Sequence, residues 1–291
     1  EHITSDYYEY DKKVEEQSRK YDNFFPSLAL SFPLGKVQMQ LAYRASIKRP
    51  SYWDLRGNIT YGNRYTYETG NPLLQPTTIQ SLSLNTIYRW MSLSLSYNHY
   101  KNDYTSYVRA YSEENPTIGL LTMKHIAPYN QLSASLMLSP VIGKWSPRWG
   151  VQVQRYDCKV DTPQGVETFD NPRAIFSWRN TVRFTDSFWI NADAYYQTKS
   201  QIDNTEYLEN SWYMNLNLYK GFLNNRMSLQ LQVTDLFNTR KSHVLMYSGL
   251  RTMELDNELR RTISLTFRYK FNPTKSKYKG TGAGQSQKAR M

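Results

Sequence analysis

The residues of this chain able to do general acid–base or nucleophilic chemistry are few: four histidines and one cysteine in 291 residues. A hydrolytic site needs a histidine held by a carboxylate or amide and aimed at a nucleophile. His99 follows Leu95 and Tyr97 in an apolar register, His125 precedes a strand-like stretch, and His2 and His243 fall in or near loops. No two histidines have zinc-ligand spacing, and Gly-x-Ser-x-Gly is absent. Cys158 stands between Asp157 and Lys159 where an alternating stretch runs out, which suits a passive residue, and a lone cysteine makes no intrachain disulfide. Gly280-Thr281-Gly282-Ala283-Gly284 has the glycines of a dinucleotide loop without a helix after it, so it reads as flexible tail. Asp203-Asn204 and Asp256-Asn257-Glu258 are oxygen-rich loop tips of a kind that can hold Ca²⁺, with no ligand spacing to set them apart from solvated turns. This census points to a protein that is not an enzyme, with no catalytic, cofactor or metal residue.

Tyrosine is the residue type in excess, 25 against 11 Phe and 7 Trp. Tyr61, Tyr65 and Tyr67, with Tyr104, Tyr107 and Tyr111, are candidate contacts for sugars or planar ligands, since their rings stack and their hydroxyls bond. Amphipathic rings also collect where a protein passes from lipid to water. The net charge of +11 comes from 36 Lys and Arg against 25 Asp and Glu. Apart from a tail with Lys275, Lys277, Lys279, Lys288 and Arg290, the basic residues are scattered over polar strand faces and loops. No nucleic-acid partner is expected from that distribution.

The elements that position these residues are strands. From Thr262 to Phe271 every second residue is apolar, leaving Thr, Ser, Thr, Arg and Lys on the other face. Leu229, Leu231 and Val233 repeat the pattern, as do Trp212, Met214, Leu216 and Leu218. Ser27 to Leu34 turns at Gly35-Lys36 into the Val37 stretch, Arg89-Trp90 is a second tight turn, and Thr185-Asp186-Ser187 a third. Pro140 to Pro147 and Gly221 to Arg226 are further short links. Between them lie long connections, from Lys48 to about Thr77, after Tyr111, from about Cys158 to Pro172, and from about Lys199 to Glu209. The stretch continuing through Tyr100, Tyr104, Tyr107 and Tyr111 exceeds the ~9–11 residues that cross a bilayer and should stand above it. Asn180 falls in the apolar register and makes the Phe176 strand the least regular.

Strict alternation with only 40% hydrophobic residues fits a barrel with an apolar coat better than a sandwich with a thick shared core. No run reaches the ~18 apolar residues of a membrane helix, so a bilayer can be crossed only by strands. Short and long connections alternate, as in a meander whose ends face two compartments. The expected fold is all-β, an antiparallel meander transmembrane β-barrel of about eleven strands, half of a barrel of ~22 whose lumen holds a plug. An odd count places the partner of the last strand upstream of Glu1. The expected organisation is a polar extracellular lead-in over 1–26, barrel strands over 27–272 and a polar periplasmic tail over 273–291.

Two loop sequences carry a resemblance. Gly70-Asn71-Pro72-Leu73-Leu74-Gln75-Pro76 is similar to the Asn-Pro-x-Leu-x-Pro motif ahead of a strand in TonB-dependent receptors. Asp235-Leu236-Phe237-Asn238 is similar to the Asp-Leu-Phe-Asn motif near the end of those barrels. Arg49-Pro50-Ser51-Tyr52-Trp53-Asp54-Leu55 and the Lys-rich tail resemble the outer-membrane β-barrel family of Bacteroidota, over about Tyr21 to Met291. The chain departs from the pattern at Thr77, where an acidic residue is usual, and at Met291, where many such barrels end on an aromatic. In physical terms Pro72 and Pro76 fix φ and remove donors, while Asn71, Asp235 and Asn238 suit Asx-type turns. Asn71, Pro72, Leu74, Pro76, Asp235, Leu236, Phe237 and Asn238 are therefore read as structural.

The resemblance implies the wall of a receptor that imports a nutrient of the glycan, siderophore or peptide class across a Gram-negative outer membrane. It further implies outer-membrane lipid around the chain, a barrel half and plug upstream, the TonB energising complex acting through that region, and a surface lipoprotein as partner. A structural or adhesive barrel without energised transport is the alternative.

Overall fold

The computed structural model describes residues 2–6, 8–9, 11–14, 19–22 and 24–271. The basic tail, Gly280 to Gly284 and Met291 lie outside the described residues. Eleven strands form one antiparallel sheet. They are β1 Ser27–Leu34, β2 Val37–Lys48, β3 Thr77–Tyr88, β4 Met91–Lys101, β5 Tyr129–Leu138 and β6 Trp145–Tyr156, then β7 Arg173–Thr185, β8 Phe188–Gln197, β9 Ser211–Phe222, β10 Met227–Thr234 and β11 Thr262–Tyr269. Each pairs with its neighbours in sequence, so the spatial order is the chain order. β1 and β11 each pair on one side only, and the sheet is not closed.

Register gives the two faces their character. Leu30, Leu41, Leu84, Leu95, Ala134 and Val153 lie directly opposite one another across six strands. One residue away in phase, Gln40, Asn85, Ser94, Ser135 and Gln152 form a polar row. Leu28, Leu82, Leu132, Phe176, Trp178 and Trp212 are exposed on the apolar face. A continuous exposed apolar face of this size requires an apolar surrounding, which excludes a soluble sandwich.

Short turns close one end of the sheet. Gly35, Arg89 and Gly143 adopt φ of 63°, 51° and 59° there, and Leu223, Asn224 and Asn225 carry the β9–β10 turn with φ of 51° to 62°. Pro147 lies inside β6 and not in the preceding link, as the sequence suggested. Its position is opposite Asn180 of β7, beyond the point where β5 stops pairing at Leu138–Trp149. Its missing N–H therefore faces a locally open edge. Asn180, the irregular residue of the apolar register, is buried and accepts from Trp145 Nε1 at 3.0 Å.

At the other, outer end the long connections are folded. Cys158–Thr162 pairs with Gly165–Phe169, so the expected loop from Cys158 to Pro172 is a hairpin. Tyr104–Ala110 pairs with Gly119–His125, which runs parallel to Thr66–Glu68. The β4 strand does not continue through Tyr111, because Asn102 takes a φ of 57° and the ladder restarts in this second sheet. Ser200–Ile202, Thr205–Tyr207, Lys241–Ser248 and Arg251–Glu258 form a third. Asp256, Asn257 and Glu258 thus lie in a strand and not at a loop tip, and His243 faces Asp256 directly. In the lead-in, His2–Ser5 pairs with Arg19–Asp22 and Tyr8–Glu9 with Lys12–Lys13. Buried apolar residues gather at this end, where Tyr129, Cys158, Val160 and Phe169 form a core flanked by Tyr100, Tyr156 and Tyr247.

Candidate functional site

The segment Gly70–Pro76 is a junction of three elements. Ser51 caps the short helix α1, Tyr52–Leu55, in a capping box with Asp54. The Asp54 carbonyl accepts from Asn71 N at 2.6 Å, while Asn71 Nδ2 donates to Met123 O at 2.9 Å and Asn71 Oδ1 accepts from Leu73 N at 2.9 Å. A Cβ on Gly70 would collide with the Asp54 carbonyl and stand 2.7 Å from Arg56 N, so only glycine fits that approach. Leu74 and Pro76 are buried. Gln75 N donates to His125 Nε2 at 3.0 Å, and His125 Nδ1 stands 3.1 Å from Asn102 O. His125 therefore bridges two backbones, a role its sequence context did not announce. Thr77 donates to Asp103 Oδ1 at 3.1 Å, and Asp103 Oδ2 accepts from Tyr129 at 2.7 Å. Thr77, where an acidic residue is usual in the motif, thus stands against the acid Asp103.

Asp235 organises the second motif from a left-handed φ of 53° and is 1% exposed. Its carboxylate accepts from Thr239 N and Arg240 N, each at 3.0 Å, and its own N–H donates to Asn215 Oδ1 at 2.9 Å. Leu236 N donates to Met214 O at 2.6 Å, Asn238 Oδ1 accepts from Arg261 N at 3.0 Å, and Phe237 packs on Trp212 with ring centroids 5.8 Å apart. The motif ties β9, β10 and the approach to β11 into one corner.

The six candidate tyrosines are not brought to one surface. Tyr61, Tyr67 and Tyr111 form a chain of ring contacts at 5.8 and 4.7 Å, with Tyr61 70% exposed. Tyr65 is exposed beside Arg64. Tyr104 and Tyr107 fall on opposite faces of their strand, Tyr104 donating to Asp54 Oδ2 at 3.4 Å and Tyr107 lying under Lys124 at 4.6 Å.

A different set of rings lines a cavity of about 380 Å³ at the outer end of the polar face. Tyr195 of β8 stands directly opposite Tyr213 of β9 and stacks on it at 5.2 Å. Arg240 lies over Tyr213 at 4.5 Å, and Arg173 over Tyr207 at 5.2 Å. Gln197 accepts from Tyr195 at 2.9 Å and from Arg173 at 2.7 Å, fixing both. Lys241, His243 and the acidic Glu209 also line the cavity. Alternation put Tyr213 on the polar face, but its meeting with Tyr195 depends on a register no local pattern encodes. Among the described residues, His243, Glu254 and Asp256 are the group of three whose ligand atoms lie close enough for a metal. In the structure they form an ion pair, His243 Nε2 to Glu254 Oε1 at 2.6 Å, which lifts the imidazole above its usual range.

Residues 1–269 match the family described as outer membrane protein beta-barrel family. Solved structures share the fold at low identity. The pyoverdine outer membrane receptor FpvA of Pseudomonas aeruginosa PAO1, bound to pyoverdine, is 14% identical with a TM-score of 0.56, over 89% of this chain and 38% of that one. The siderophore receptor PirA of Acinetobacter baumannii is 13% identical with a TM-score of 0.54, over 87% and 41%. A mutant of the ferric enterobactin receptor PfeA of Pseudomonas aeruginosa, in complex with enterobactin, is 17% identical with a TM-score of 0.51, over 86% and 40%. The chain thus spans about two fifths of the length of these structures. A search of curated proteins by sequence finds no match.

Proposed function

Since the chain belongs to the outer membrane protein β-barrel family and resides in the outer membrane, we propose that it forms part of the wall of a receptor importing a nutrient by TonB-energised transport. The cargo is of the glycan, siderophore or peptide class. The observation that carries this reading is the cavity at the outer end of the polar face, where Tyr195, Tyr207 and Tyr213 present rings and Arg240 its guanidinium, with Arg173 stacked on Tyr207 beside it. A wall built only for support has no use for a concave aromatic and cationic site at its mouth.

On this reading residues 27–272 are barrel wall, 1–26 an extracellular lead-in and 273–291 a periplasmic tail. The remaining strands, a plug and the segment that engages TonB belong to sequence upstream, and a surface lipoprotein closes over the mouth. Tyr61, Tyr67 and Tyr111 offer a first contact on the long-connection side, while Tyr104 and Tyr107 are occupied in packing. The neighbours of this fold are receptors, which agrees with a protein that is not an enzyme. The test is accumulation of labelled nutrients by cells making the receptor. Uptake should fall in Y195A/Y213A and stop when the energising partner is deleted. Uptake that continued without that partner would exclude energised transport and favour the structural or adhesive alternative.

A further inference from the structure

We infer that the polar wall around β6 and β7 is an anion path, and that the cargo carries carboxylate or phosphate groups; the inference deepens the uptake reading and rests on it. Arg173, Arg179 and Arg183 share one face of β7 by alternation, opposite Phe176 and Trp178, which are 45% and 46% exposed on the apolar side. At ~3.3 Å per residue they stand about 20 Å and about 13 Å apart along the strand.

Arg179 lies directly opposite Arg148 of β6. Like charges in that position destabilise a sheet. Local acid relieves it only in part, since Asp193, opposite Arg179 on β8, approaches its Nε to 3.5 Å. Lys144, Arg148, Arg179 and Arg183 line a cavity of about 680 Å³ toward the short-turn end, with no acidic residue in its lining. Among the described residues, the ion pairs that form include Arg179 but not Lys144, Arg148 or Arg183.

At the outer end Arg173 and Arg240 stand near a cavity whose lining holds one acid, Glu209. Each stacks on a tyrosine, and neither forms an ion pair among the described residues. Arg173 is held by Gln197, itself 6% exposed, and its Nε has no hydrogen-bond partner. A guanidinium fixed in this way keeps a planar fork suited to a carboxylate or phosphate. On β3 and β4 the same face is mostly uncharged, with Ser81, Ser83, Asn85, Ser92, Ser94 and Ser96, and Arg44 of β2 stands opposite Ser81. The cations of this sector therefore gather in two stations, Lys144, Arg148, Arg179 and Arg183 at one and Arg173 with Arg240 at the other, beside cavities of the size of small-molecule sites. A concave wall with more cations than Glu209 and Asp193 balance raises the local concentration of oppositely charged solutes.

The experiment is calorimetric titration of the receptor purified in detergent with citrate, with inorganic pyrophosphate and with the neutral trisaccharide raffinose at low salt. At least one anion should bind, weaken about tenfold or more in R173Q/R240Q and in R148Q/R179Q, and recover only in part in R173K/R240K, where charge is kept and the fork is lost. Heat-modifiable gel mobility checks that each variant folds. Raffinose binding with both anions silent, silence from all three probes, or anion binding indifferent to both double variants overturns the path. So does an acidic polypeptide segment at the lower station, seen as an upstream region that turns protease-sensitive in R148Q/R179Q while anion binding persists. Anion binding without energised uptake in cells would sink the transport reading alone; energised uptake of a neutral cargo would sink the path alone.

Discussion

The indole of Trp145 donates to Asn180 Oδ1 at 3.0 Å across the β6–β7 ladder, on the face of the sheet that is otherwise apolar. Trp149 packs edge-on against Trp145 at 5.8 Å, and the amide is buried beside the pair. A polar group facing hydrocarbon is costly unless bonded. Trp145→Phe keeps most of the apolar cover and removes the donor. It should lower stability by about 1–3 kcal/mol, the cost of an unsatisfied buried acceptor. Urea unfolding in lipid vesicles measures this, and Asn180→Leu in the same background should recover much of the loss. Equal losses in W145F and W145F/N180L would mean that packing, not the bond, matters.

Asp235 joins fold and site, because its carboxylate accepts from the backbone of Arg240, whose guanidinium roofs the mouth cavity. Asp235→Asn keeps a residue that tolerates the φ of 53° while turning one acceptor into a donor. The variant should lose about 1–3 kcal/mol for the broken pairing with Thr239 N or Arg240 N. It should also weaken anion binding at the mouth without touching the Arg148–Arg179 station. A stability loss with calorimetric binding unchanged at both stations would separate the corner from the site.

The barrel strands were legible because alternation is a local property. β1 spans the residues expected of it, and the Gly35 and Arg89 turns fall where short links broke the pattern. The outer sheets were not legible. Tyr104–Ala110 finds Gly119–His125, and that strand finds Thr66–Glu68 some fifty residues earlier, a pairing no local pattern announces. The core under them draws Tyr129, Cys158 and Phe169 from separate segments. The same holds for the site. Alternation places Arg148 and Arg179 on a polar face, but only the register sets one against the other. Of the six tyrosines picked out in sequence the fold links Tyr61, Tyr67 and Tyr111 and turns Tyr104 and Tyr107 to opposite faces, while Tyr195 and Tyr213 meet across the β8–β9 ladder.

Cys158 should be unreactive in the folded protein. It is 1% exposed, and burial first, then the charges of Asp203, Asp103 and Asp157, push its thiol up to about 12. At pH 7 to 8 the thiolate is then a negligible fraction. Maleimide should leave the native receptor unlabelled over hours and label it rapidly in denaturant. Fast native labelling would show that the Cys158–Phe169 hairpin opens. Phe169→Ala provides a graded control, since emptying this core should cost about 3–5 kcal/mol and expose the thiol.

His243 should titrate above the ordinary histidine range. The hydrogen bond to Glu254 is the main cause, the charges of Asp256, Glu254 and Glu209 add to it, and desolvation opposes it. Glu254 and Asp256 face it from the partner strand Arg251–Glu258, Glu209 from the segment after Thr205–Tyr207, and Lys241 lies beside it on its own strand. A folded-state pKa above the unfolded one stabilises the hairpin fully below the unfolded pKa of about 6.5, and that stabilisation is lost as pH rises through the folded pKa. The imidazole signal in NMR should shift at a pH above that value in the native receptor and return toward it in Glu254→Gln. Hydrogen exchange of the Lys241–Ser248 amides, corrected for the intrinsic pH dependence, should show weaker protection above the transition than below it. A signal that titrates at the ordinary value in both proteins would mean that the His243–Glu254 contact does not persist in solution.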